Sequence, residues 1–123
     1  MSELTAGQVL AQVDGLLPNA CTREEKLRWL RQAAGTVIHE ALQPIAGTND
    51  TLPEELDEDT ALPDAAPYEE LYRWYVEAQI HYAGGDMTRC NNALSLWNRA
   101  LAALQGDLLR GRNTEKPQAL RLF

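Results

Sequence analysis

Little in this sequence can hold a metal ion or carry acid–base chemistry. It has two histidines and two cysteines. His39 is followed by Glu40, but an HExxH helix needs a second histidine four positions on, and the only other one is His81. Without a Cys or Asp partner at ligand spacing, no metal site is expected. Cys21 and Cys90 belong to no CxxC pair and read as small apolar residues in a reducing compartment. The phosphate-cradling patterns GxGxxG and GxxxxGKS/T and the nucleophile elbow GxSxG are missing from the sequence. The expectation is a protein that is not an enzyme, with no catalytic residue and no cofactor.

Long apolar runs are missing too. None approaches the roughly 20 residues that span a bilayer, so no membrane partner is expected. Met1-Ser2-Glu3-Leu4 is not a basic segment leading into an apolar one, which leaves no secretion signal to read. The chain is therefore expected in the cytoplasm of the cell that makes it, unless it is carried out inside a larger assembly. A length of 123 residues suits one domain with an unstapled core.

Basic residues are absent from one stretch. Between Gln43 and Pro67 lie Asp50, Glu54, Glu55, Asp57, Glu58, Asp59 and Asp64, with no Lys or Arg. Without these seven, 11 acidic residues face 11 basic ones, so the net charge of −7 belongs to this segment. A general nucleic-acid binder shows the opposite, a basic surplus that neutralises phosphates. Pro44, Pro53, Pro63 and Gly47 interrupt the stretch, which reads as a long acidic loop over 43–66. Its carboxylates are too crowded and too loosely held for a fixed acid–base pair, and residues 50–64 do not match an EF-hand loop.

What the chain has in quantity is helical periodicity. Thr5 and Gln8 form a capping box ahead of Val9, Val13 and Leu16, which predicts a helix over about 5–17. Thr22 and Glu25 form a second box. Leu27, Leu30, Ala34, Val37 and Ala41 follow it on one stripe, which predicts a helix over 23–42 stopped by Pro44. Pro67 suits a first helical turn. Tyr68, Leu71, Tyr75, Ala78 and Tyr82 make one stripe beyond it, and Tyr72, Val76, Gln79 and Ala83 a second beside the first. A helix over 67–84 covered on two sides belongs at the centre of the fold. Gly84-Gly85 ends it and Asp86 can cap the next helix. Met87, Cys90, Leu94, Trp97, Leu101, Leu104 and Leu108 then mark a helix over 86–109. So short a connection makes the last two helices antiparallel neighbours. The expected architecture is all-α, a small bundle of about four helices in a single domain over 1–112, followed by a tail over 113–123.

Around that tail Arg110, Arg112, Lys116 and Arg121 oppose Glu115, and Leu120, Leu122 and Phe123 give it an apolar tip. Trp29 lies beside the Leu30 stripe, and Trp74 falls outside both stripes of its helix. The interface candidates are Trp29, Trp74, Arg110, Arg112, Arg121, Leu122 and Phe123.

The run from Pro67 through Tyr68, Trp74, Tyr75, Gln79 and Tyr82 to Gly84-Gly85-Asp86 continues into Arg89-Cys90-Asn91-Asn92-Ala93 and Trp97-Asn98. Together these residues resemble the small head–tail connector, or neck adaptor, proteins of tailed phages and prophages. Leu17-Pro18-Asn19-Ala20, the stretch Glu25 to Leu30 and the Arg-rich C-terminus resemble the same group. The resemblance implies a helical bundle that assembles as a ring of twelve copies beneath the portal protein. It implies a place in the virion neck, tail or head-completion proteins as further partners, and duplex DNA as passing, non-specific cargo. Cys21 and Cys90 depart from the pattern, which has aromatics there. On this reading Glu54, Glu55, Asp57, Glu58 and Asp59 are channel-facing candidates, because a negative wall repels phosphates and lets DNA slide. The alternative is a helical protein-interaction module, since Ala78 to Ala93 has a tetratricopeptide-like look. Only one such unit is present, and a solenoid needs about three.

Overall fold

A computed structural model describes residues 4–115, the last four by their backbone alone. The protein is all-α: a small bundle of four helices, α1 (Ala6–Leu16), α2 (Arg23–Val37), α3 (Glu70–Ala83) and α4 (Met87–Glu115). Helix α3 packs against α1, α2 and α4, so the doubly striped helix is central. One hydrophobic core runs through all four helices, with Leu10, Leu30, Leu71, Tyr72 and Val76 fully enclosed.

Both capping boxes form. Thr5 Oγ1 accepts from the Gln8 N–H while Gln8 Oε1 accepts from the Thr5 N–H, and Thr22 and Glu25 repeat the exchange. At the far end of α1 the expected face is corrected. Leu16 is 65% exposed, and Leu10 fills the core beside Val9 and Val13.

Pro44 does not stop the second helix. At Ile38 the backbone widens into a π-helical segment, Ile38–Ala46, that carries the chain past the proline. In an α-helix the Glu40 carbonyl would await the N–H that Pro44 lacks. Here that carbonyl accepts from Gln105 Nε2 of α4 at 2.8 Å. The segment ends at Gly47, whose φ of 75° is left-handed. The non-helical acidic segment therefore begins after Ala46 rather than at Gln43.

Helix α3 also starts later than expected. Pro67 follows a cis peptide bond, and residues 65–69 make tight turns before the helix opens at Glu70. Downstream the hairpin forms as read. Gly85 takes a left-handed φ of 82°, and Asp86 Oδ1 accepts from the Arg89 N–H to cap α4. Tyr82 and Met87, expected in the core, lie at the open end of the hairpin and are 63% and 47% exposed. Cys90, Trp97, Leu101 and Leu104 are buried as the periodicity predicts. Helix α4 runs on to Glu115, so the expected tail boundary at 113 falls inside the helix.

Candidate functional site

The acidic segment is folded onto the helical body. Its middle crosses the start of α1, where two first-turn amides lack helical acceptors. The Ala6 N–H donates to the Thr60 carbonyl and the Gly7 N–H to the Glu58 carbonyl, both at 2.9 Å. Leu62 N–H donates to the Leu4 carbonyl beside them, and Thr5 and Ala61 form an isolated antiparallel bridge. Leu56, Leu62 and Ala65 are buried in the core, and the Tyr72 hydroxyl donates to the Pro63 carbonyl at 2.6 Å. Burial, with Asp64, Glu69 and Asp50 adding to it, pushes the Tyr72 phenol far above its ordinary range. It stays a neutral donor.

The basic side chains that the segment lacks are supplied by α2. Arg23 pairs with Glu58, and Arg31 Nε donates to the Pro53 carbonyl at 2.7 Å. Arg28 and Arg31 share a cleft of about 400 Å³ with Glu54, Glu55 and Leu56. Asp57 braces its own loop, accepting from the Asp59 N–H and the Thr60 hydroxyl. Of the five channel candidates, Glu58 is thus neutralised by Arg23 and Asp57 braces a turn. All five are exposed.

A second surface gathers aromatic side chains. Trp74 and Tyr68 from the α3 side, with Pro67, face Leu96, Ala100 and Ala103 of α4 across a groove of about 340 Å³. Glu70 and Arg99 stand on its two walls. The Arg73 guanidinium lies 5.7 Å from the centre of the Trp74 ring and is held by Glu77 at 2.8 Å. Trp74 keeps part of its surface open while packing against the core. Trp29 also packs against the core, on α2, but does not line this groove. Tyr75, beside Trp74 in sequence, does not line the groove. Its ring packs against Trp97 with centroids 5.0 Å apart and planes tilted by 59°, and its hydroxyl donates to Gln32, while burial raises the pKa of its phenol.

Arg110 sits on the last turns of α4. Its guanidinium pairs with Asp107, whose other carboxylate oxygen accepts from the Tyr68 hydroxyl at 2.6 Å. Its charge is therefore engaged within the chain. The side chain of Arg112, and Arg121, Leu122 and Phe123 altogether, lie outside the described residues.

One charged residue in the core was not foreseen. Lys26 of α2 has a side chain only 7% exposed and pairs with Asp14 of α1 at 2.7 Å. Partial burial pushes the Asp14 carboxyl up, but hydrogen bonds from Lys26 and Asn19 outweigh it and hold the pKa below its ordinary value. The stripe reading skips Lys26 because its apolar stem, not its charge, covers the core.

Comparison with protein-family models, with curated proteins and with solved structures finds no match. Among the described residues no helix is long and apolar enough to cross a membrane.

Proposed function

We propose that this chain is a structural subunit of a phage or prophage neck, a head–tail connector that assembles as a ring on a portal protein. The observation that carries the reading is the acidic segment bound to the helical body. Backbone hydrogen bonds to α1, the Tyr72 hydroxyl and the α2 arginines hold it in place. Fixed there, it offers Glu54, Glu55 and Asp59 to solvent. A segment fixed in this way keeps its negative charge at one place on the surface, where it would repel the phosphates of passing DNA. The resemblance of Pro67 to Asp86 and of Arg89 to Asn98 to connector proteins supports the same reading. So does an apolar aromatic groove left open on the single chain, which suits a part that completes itself in an assembly.

The test is sedimentation of the purified protein mixed with a portal protein of the same phage or prophage. A connector adds mass to the portal in a fixed ratio of many copies. A portal that sediments unchanged at saturating protein overturns the proposal. The helical-interaction-module alternative has weaker support, since α3 and α4 are the only hairpin of that kind among the described helices.

A further inference from the structure

We infer that the aromatic groove between α3 and α4 receives residues 120–123 of a second copy of this chain. The inference rests on the ring reading for the presence of that second copy. The groove is apolar along its floor, with Trp74, Tyr68 and Leu96 as its largest aromatic and aliphatic side chains, and carries one charge on each wall. Leu120-Arg121-Leu122-Phe123 is its complement: three large apolar side chains around one cation. Glu70 on the α3 wall is exposed, and its one ion pair among the described residues is a long 3.8 Å contact to Arg73. Arg99 on the α4 wall has no ion pair among the described residues. Arg121 is thus drawn to the α3 wall and repelled from the α4 wall, which orients the segment.

Reach selects a neighbour over the chain's own groove. Glu115 lies twelve residues along α4 from Ala103 and nineteen from Leu96, about 18 and 28 Å at 1.5 Å per residue. Leu120 is five residues beyond Glu115 and Leu122 seven. Their limits are about 18 and 25 Å at full extension. Folding back would demand a straight chain with no turn, and would leave Leu120 short of the groove's centre. A second copy has no such limit. The donor segment and the acceptor groove are different surfaces, so each copy gives one contact and takes one. A head-to-tail contact of this kind builds a ring where the rotation between neighbours closes.

The experiment places a photo-crosslinking p-benzoylphenylalanine at Phe123 of the full chain. The protein is irradiated alone at high concentration and when mixed with portal, and the linked peptides are mapped. The expected product joins two chains, with the link inside Tyr68–Trp74 or Leu96–Ala103. A charge swap adds a readout that simple unfolding cannot mimic. Glu70→Arg and Arg121→Glu should each cut the yield several-fold, and the double variant should restore it. Links within one chain, links that map elsewhere, or no link in either setting overturn the inference. Rings on the portal with links elsewhere overturn it and leave the connector reading standing. Links between chains in the groove without portal binding support it and count against the connector reading.

Discussion

Replacing Gly7 by alanine tests whether the acidic segment is packed on α1 as described. Helix propensity alone says the change should stabilise, because alanine is better than glycine in a helix by about 1 kcal/mol. The structure says the opposite. A Cβ at Gly7 would lie 2.9 Å from the Glu58 carbonyl oxygen and 3.0 Å from Glu58 Cβ. That oxygen cannot swing aside, because it accepts the Gly7 N–H at 2.9 Å. Overpacking of this kind costs about 1–3 kcal/mol, and losing the hydrogen bond costs about 1 kcal/mol. The net effect, after the helix-propensity gain, is a destabilisation of about 1–3 kcal/mol. For a chain of this size that lowers the melting temperature by about 4–12 °C. The assay is thermal unfolding followed by circular dichroism at 222 nm, with Gly15→Ala as the twin. Gly15 lies in the same helix with nothing within 4 Å of its Cβ position, so alanine there should raise the melting temperature. If both variants raise it equally, the packing of residues 58–62 across α1 is refuted.

Other consequences concern single contacts. Asp14→Asn should destabilise at neutral pH by leaving the Lys26 ammonium buried without its charge partner. Because the folded Asp14 pKa is depressed, its contribution is present above the ordinary value near 3.8 and lost as pH falls through the folded value. The cost of the variant should therefore shrink in urea titrations carried out below pH 4. Gln105→Ala uncovers the Glu40 carbonyl and should lower the urea midpoint by an amount equal to about 1 kcal/mol. Tyr72→Phe removes the tether to Pro63, so limited proteolysis should cut the 48–66 segment faster at about the same loss of stability. Changing Glu54, Glu55, Asp57, Glu58 and Asp59 to amides should slow DNA ejection from assembled particles. Unchanged retention and ejection would remove the channel role.

Much of the bundle was legible because its signals are local. Capping boxes at Thr5 and Thr22 and the glycine pair before Asp86 each act within a turn, so three-residue spacing is enough to read them. The buried positions Cys90, Trp97, Leu101 and Leu104 follow from one helical period. Reading failed where a distant residue decides the outcome. Pro44 looks like a stop until the backbone widens into a π-helical register that carries the chain past it, and Gln105, 61 positions later, ties α4 to the Glu40 carbonyl. Gly7 looks like a weak spot in α1 until Glu58 comes down on it. The segment after Gly47 has no period because its order comes from backbone bonds to α1 and from arginines on α2, neither of which leaves a mark in its own composition. Trp74 stands out in the sequence by falling outside both stripes of its helix. The groove around it needed Leu96 and Ala103, which sit on the α4 face that a core stripe ignores.

The ring itself is the claim on which the account depends, and a reconstruction by electron cryomicroscopy of portal mixed with this protein tests it most directly. The account predicts an added ring of repeated helical density beneath the portal, with residues 48–66 of each copy facing the channel. A portal that reconstructs bare at saturating protein, or one bearing a single asymmetric copy, would contradict it.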